Sequence, residues 1–428
     1  MNILILTNTF APHVGGVARS VAAFVDEYRK RGHQVLIVAP QFPEMPQDEV
    51  GVVRAPAIQK FNASDFSVAL PPIAGLRERL DEFQPEIVHS QHPFLLGMTA
   101  LRIARSRGLP LVFTHHTLYE QYTHYVPGDS AAMKHFAIEL ATRYANLCDQ
   151  VFAPSESIAG LLRERGVIRP VSVVPTGVRL EDFKQGDGKA VRKAMGIPEE
   201  AFVVGHLGRL APEKNLEFMT RAIADFVQGH PDAHFLVVGR GPSEDAMRAI
   251  FARAGIEDRL HMVGILQQPQ LADTLHAMNL FAFASLSETQ GMVLTEAMAA
   301  GLPVIALDAP GAREVVKDGR NGRLLQDQTP AAFSAALQWL AALPPVTRQD
   351  MKQAALGTAK AFSMSRTAEK ALSCYEAVRS RNTARASHGE RDWENVVAWI
   401  RTEWAILKSV AGAGDAAIGT SRSSDKEK

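Results

Sequence analysis

The feature that most constrains this chain is a repeated unit: a short apolar run, a turn of Gly, Pro or polar residues, then apolar residues at helical spacing. It begins with Asn2 to Leu6 and a helical pattern from Val17 to Arg31. The apolar half returns in HQVLIVAP (33–40), EIVHSQHP (86–93), LPLVFTHHT (109–117), DQVFAP (149–154), FVVGHL (202–207), HFLVVG (234–239), HMVGIL (261–266) and LFAFA (280–284). Strands separated by helices of this length pair in parallel through right-handed crossovers. The spacing therefore predicts an α/β chain of Rossmann-like units, with ligands at the carboxyl ends of the strands.

At 428 residues the chain exceeds what one core organises, so two domains sharing a crevice are expected. Pro175 and Gly177 break helix and strand alike, which marks a connector there. The reading divides the chain at 1–175, an acceptor-side domain, and 176–380, a second Rossmann-like domain ending in a helix around Phe362 to Val378 that crosses back. Residues 381–428 follow, beginning in the polar, linker-like SRNTARASHGE (380–390). Trp393, Val396, Val397, Ile400, Trp404, Leu407 and Val410 then form an apolar stripe at helical spacing, able to pack on the protein's own surface or on a bilayer. A small-residue tail from Gly412 reads as disordered.

Lys and Arg total 46, Asp and Glu 46, so net charge gives no reason to expect a nucleic-acid partner. Cys148 and Cys374 are the only cysteines and form no CxxC, the usage of a reducing compartment. MNILILTNTF lacks the basic region and cleavage site of a signal peptide, and no apolar run approaches eighteen residues. The expectation is a cytoplasmic protein, at most peripheral on the inner face of the cell membrane.

Candidate site residues sit where apolar runs end. Glu288 lies in the loop after LFAFA, and Glu296 in the helix starting after Gly291; either carboxylate could equally be solvated or capping. Gly15 and Gly16 precede the first helix, where a backbone without Cβ suits a phosphate, although a plain tight turn has the same pattern. Arg209 and Lys214 follow the strand at 202–207, and such a pair can hold a diphosphate or be ordinary surface charge. His89, His92, His115 and His116 all fall at strand ends. No HExxH or compact ligand spacing accompanies them, so zinc is not expected and hydrogen-bonded rim or core positions are.

Three segments carry a resemblance. Glu288 through Glu296 to GLPVIA, Gly311, Glu314 and Asn321–Gly322 is the first; G-R-L-x-x-E-K-N at 208–215 is the second; T-x-H-T at 114–117 is the third. Together they resemble glycosyltransferase family 4, retaining sugar-nucleotide enzymes of the GT-B fold, over roughly residues 1–380. The resemblance implies two Rossmann-like domains with parallel sheets facing across a crevice. It also implies that Arg209 and Lys214 neutralise the donor diphosphate, Gly16 backs the phosphates, and Glu296 holds the ribose. Glu288 and His116 would act at the transferred sugar, with a UDP-sugar as co-substrate and no metal or other cofactor; no DxD motif is present. ETQG at 288–291 and the run Tyr119, Glu120, Tyr122, His124, Tyr125 look most like the branch that glucosylates diacylglycerol at a membrane surface, with His115 where that branch often has Tyr. Another acceptor (polyprenyl, oligosaccharide or small molecule) remains open. So does a sugar-nucleotide epimerase or a binding protein of the same fold.

Overall fold

The structure is a computed structural model that describes residues 1–13, 15–46, 49–58, 68–69, 73–121 and 130–386. The stripe from Trp393 to Val410, the tail, and Tyr122, His124 and Tyr125 lie outside the described residues. The chain forms two compact units, Met1–Thr176 together with the chain from Thr367, and Gly177–Arg366.

In the first unit the strands are β1 (Asn2–Leu6), β2 (Gln34–Pro40), β3 (Val52–Ala55), a short antiparallel pair β4 (Ala57–Ile58) and β5 (Val68–Ala69), then β6 (Ile87–Ser90), β7 (Leu111–Thr114), β8 (Gln150–Ala153) and β9 (Val171–Val173). Helices α1 (Gly16–Lys30), α2 (Leu76–Phe83), α3 (Leu96–Ser106), α4 (Ala131–Leu147) and α5 (Glu156–Glu164) connect them. The parallel sheet runs β3-β2-β1-β6-β7-β8-β9. Its centre is buried on both faces, so β1 needs no polar alternation: Leu4 pairs with Leu36 on one side and Val88 on the other.

The second unit contains α6 (Gly188–Ala194), β10 (Phe202–Leu207), α7 (Leu216–Gly229), β11 (Ala233–Val238), α8 (Glu244–Arg253), β12 (Leu260–Gly264), α9 (Gln270–His276) and β13 (Leu280–Phe283). It continues with α10 (Met292–Ala299), β14 (Val304–Leu307), α11 (Ala312–Val315), β15 (Gly322–Leu325), α12 (Pro330–Ala341) and α13 (Pro345–Ala361). The sheet order is β12-β11-β10-β13-β14-β15, again parallel. In each sheet the chain builds outward one way, returns to the centre and builds the other way. The reversal falls between β1 and β6 in the first sheet and between β10 and β13 in the second. Such a switch point leaves a crevice where neighbouring loops diverge.

Among the strands that escape the sequence pattern are β3 and β15. Both are edges, and each carries an arginine in place of a continuous apolar run. Arg54 forks onto Glu49 at 2.6 and 2.7 Å, and Arg323 lies over the Trp339 ring at 4.8 Å. A charged edge blocks further strand pairing and hides the strand from a hydrophobic reading. The last helix also differs from expectation. α14 (Met364–Ala386) starts after a break at Phe362–Ser363, where Val178 bridges Ser363, and runs on through the first residues of the stretch read as a linker. Beyond Thr367 it is part of the first unit, with Tyr375 fully buried and Arg379 bonding Glu86 at 2.5 Å.

Candidate active site

Each unit presents a cluster of polar and charged side chains at its own switch point. In the second unit the loop after β10 carries Arg209 and Lys214, and the loop after β13 carries Glu288. Lys214 Nζ donates to Glu288 Oε1 at 2.5 Å, with the two side chains only 17% and 21% exposed. Two further bonds hold the loops together: Asn215 Nδ2 to the Ala284 carbonyl at 3.3 Å, and Ser287 Oγ to the Glu213 carbonyl at 3.1 Å. Arg209 forms an ion pair with Glu213 on its own loop while remaining half exposed.

The shape of the Glu288 loop depends on glycine at two points. Gly291 caps α10 at φ 71°, a left-handed conformation that side chains resist. Gly311, at φ 83°, lies so close that a Cβ would come within 2.8 Å of the Gln290 backbone. α10 then begins directly beneath the loop, and Glu296 in its second turn is buried at 5% exposure. Thus Lys214 and Glu288 are in contact, Glu296 follows on the helix below, and Arg209 reaches the same loop region through Glu213.

His206, which the sequence reading passed over, is buried behind this cluster on β10. It stacks on Phe281 and binds the Ala282 carbonyl through Nδ1 at 3.0 Å. Burial depresses its pKa to about 4, so the ring is neutral. Its place inside an apolar strand gave no signal distinct from a core residue.

In the first unit, Asn8 closes the crevice between the loops after β1 and β6. Its backbone N–H donates to His92 Nδ1, its Nδ2 to the Phe94 carbonyl, and its Oδ1 accepts from the first N–H of α3, each at 3.1 Å. Beside it stands the start of α1, with Gly15 as N-cap. Among the described residues no side chain caps this helix and no acid lies in its first turn to offset its positive dipole end. A Cβ on Gly16 would meet nothing within 4 Å, so packing does not require glycine there.

His116 follows β7 and binds Gln91 Oε1 through Nε2 at 2.6 Å, which sets the proton on Nε2 and makes Nδ1 the accepting nitrogen. Burial lowers its pKa to about 4. The other rim histidines are depressed further, to about 3, with burial as the main cause, His116 as a like-charge neighbour and, for His115, the Arg165 charge ahead of it. His89 and His92 are hydrogen-bonded as expected. His115 is not: among the described residues neither buried ring nitrogen has a partner, and the ring lies edge-on to Phe113 and Tyr119. Gln91 and Asn8 were missed, because their partners are distant in sequence. Among the described residues no group of three or more His, Cys, Asp or Glu is placed to hold a metal.

With this geometry in hand, comparison with known proteins gives a consistent result. The profile of Glycosyltransferase Family 4 matches residues 14–182, and that of Glycosyl transferases group 1 matches residues 187–357. An alpha-monoglucosyldiacylglycerol synthase of Streptococcus pneumoniae is 29% identical over 359 residues, covering 82% of this chain and 81% of the relative. A GDP-mannose-dependent alpha-mannosyltransferase of Mycolicibacterium smegmatis is 30% identical over 397 residues, covering 90% of this chain and the whole of the relative. Among solved structures, the Anabaena protein Alr3699/HepE in complex with UDP superposes with a TM-score of 0.71 at 22% identity, covering 88% of this chain and all of that one. Two parallel Rossmann-like sheets, each with its cluster at the switch point, and full-length likeness to such relatives establish that this chain belongs to glycosyltransferase family 4, with the GT-B fold.

Proposed function

We propose that the protein moves a hexose, glucose, from a UDP-sugar to the hydroxyl of a lipid acceptor, diacylglycerol, with retention at the anomeric carbon. The observation that carries this reading is the Lys214–Glu288 contact at the switch point of the second sheet. As the sugar–phosphate bond breaks, negative charge grows on the diphosphate, and a preorganised cation aimed there stabilises the transition state more than the ground state. Lys214 and Arg209 supply that charge, and Glu296 takes the ribose hydroxyls. Glu288, which holds the Lys214 ammonium, stands where it can also meet the sugar. His116, neutral and with Nδ1 as acceptor, receives a sugar hydroxyl, and the open N-terminus of α1 at Gly16 backs the phosphates.

Support for a lipid acceptor comes from α4. Along Ala131–Leu140 the apolar Met133, Phe136, Ile138 and Leu140 are half-buried rather than sealed in a core, with Lys134, His135 and Glu139 among them. Such a surface suits the interface of a bilayer. No helix among the described residues is long and apolar enough to cross a membrane. The name of the pneumococcal relative agrees with this acceptor. The mannosyltransferase likeness, at similar identity over the whole relative, favours a second reading in which GDP-mannose is the donor.

The test is a panel: UDP-glucose and GDP-mannose, each with vesicles containing diacylglycerol or phosphatidylinositol. The reading expects UDP release dependent on diacylglycerol and an α-linked product by NMR. Release from GDP-mannose alone would select the second reading, and acceptor-independent conversion would exclude both. Gly16→Ala gives a more local check. The fold should be kept or stabilised by about 0.4–1 kcal/mol, since the methyl meets open space and φ is ordinary for alanine. Turnover should fall on the order of tenfold to a hundredfold as the phosphates are displaced. Full activity in that variant would remove Gly16 from the donor site.

A further inference from the structure

A buried chain of hydrogen bonds joins the last helix to the strand end that bears His116. Tyr28 OH, on α1, donates to Tyr375 OH, on α14, at 3.2 Å. Tyr375 OH lies 2.5 Å from His89 Nδ1, and His89 Nε2 lies 2.7 Å from Thr114 Oγ1. Every member is buried, at 6% exposure or less. The direction of the chain follows from counting protons. Tyr375 accepts from Tyr28, so its single proton goes to His89 Nδ1. His89 is neutral, so its one proton is on Nε2 and goes to Thr114 Oγ1. Thr114 therefore accepts from His89, and its own proton has no acceptor among the described residues.

Thr114 lines a recess of about 10 Å³, room for about one water, together with Tyr28, His89, Gln91, His116 and Thr176. Ring packing holds the relay rigid. Tyr375 stacks on Phe152 at 5.8 Å and 15°, and meets Tyr28 and His89 edge-on.

We propose that Tyr375 is a positioning residue for transfer: by fixing the tautomer of His89 it presents the Thr114 hydroxyl as a hydrogen-bond donor in the recess shared with His116 and Gln91. The inference rests on the reading that His116 acts at the transferred sugar. Without the Tyr375 hydroxyl, His89 can carry its proton on Nδ1, Nε2 becomes an acceptor, and Thr114 turns its proton away from the recess. Thr114 belongs to the T-x-H-T segment, yet its orientation is set by a helix more than 250 residues further along the chain.

The test compares Tyr375→Phe, Thr114→Val, Thr114→Ser and His116→Ala. Turnover is measured with whichever of UDP-glucose or GDP-mannose gives the faster wild-type reaction on diacylglycerol or phosphatidylinositol vesicles. Tyr375→Phe keeps the ring and its stacking, so the melting temperature should stay within a few degrees. Its kcat should fall about tenfold, the worth of one well-formed hydrogen bond, with KM for the donor unchanged. Thr114→Val should match it, Thr114→Ser should retain activity, and the double variant Tyr375→Phe/Thr114→Val should lose no more than either alone. Long-range ¹⁵N–¹H spectra should show His89 moving from the Nε2–H tautomer to the Nδ1–H tautomer in Tyr375→Phe. An unchanged tautomer, kcat within twofold of wild type, or losses that multiply in the double variant would overturn the proposal. His116→Ala separates the two levels: if it loses activity while Tyr375→Phe does not, only the relay fails. If it keeps full activity, the reading of His116 fails and the relay's purpose with it.

Discussion

Replacing Lys214 with alanine should lower turnover about a hundredfold, equivalent to some 3 kcal/mol of lost charge stabilisation at the leaving group. A second effect must be separated from this one. The ammonium also neutralises Glu288 at 2.5 Å, and that carboxylate is only 21% exposed. Removing the cation alone strands a half-desolvated anion, at a stability cost of about 1–3 kcal/mol. Lys214→Ala/Glu288→Gln relieves the stranded charge. It should recover the melting temperature without recovering turnover. If Lys214→Ala kept its turnover while losing stability, the lysine would be a structural partner of Glu288 and nothing more.

Acid should unfold the protein well before its carboxylates protonate in bulk. His89, His92, His115 and His116 are held neutral in the first unit by burial, with pKa values of about 3, 3, 3 and 4, and His206 in the second at about 4. Once unfolded, each returns to about 6.5. Between roughly pH 6.5 and 4 the unfolded chain therefore binds protons that the folded one refuses, and stability falls as pH falls. Each histidine contributes about 1.4 kcal/mol per pH unit in that window, so four in one unit approach ~5 kcal/mol per unit. Above pH 6.5 the contribution is fully present and flat. Urea midpoints at pH 7.5 and 5.5 should differ by a large fraction of the whole transition. His115→Phe, which removes an imidazole with no hydrogen-bond partner among the described residues, should flatten the slope. Equal midpoints at the two pH values would refute the account.

What could be read from the sequence follows from how each element is buried. The central strands have apolar neighbours on both faces, so NILIL or LFAF declares itself without alternation. The edges β3 and β15 place arginines at the rim, and no periodicity marks them. Glu288 and Lys214 were each visible through the loop they occupy. Their contact, across 74 positions, follows only from β10 and β13 lying side by side, which strand spacing alone does not specify. Asn8, Gln91 and Tyr375 were opaque for the same reason: each acts on a partner whose proximity is a product of topology. The end of α14 was misread because its sequence there, SRNTARA, is as polar as a linker, while its contacts to Glu86, Gln150 and Gly108 come from the first unit.

The return of α14 to the first unit also fixes an order of events during synthesis. Gly177–Arg366 is one uninterrupted stretch, so the second unit can close on its own residues as soon as that stretch has left the ribosome. The first unit is begun earlier yet finished later. Until the chain beyond Thr367 emerges, the slot between Tyr28 and Phe152 lacks Tyr375, one of the largest fully buried side chains in the protein. The nascent amino-terminal half must therefore wait, with an apolar slot and a buried histidine open to water, for the translation of nearly two hundred further residues. A ribosome that stalls just after Gly177–Arg366 has emerged leaves a folded second unit tethered to a first one that cannot close.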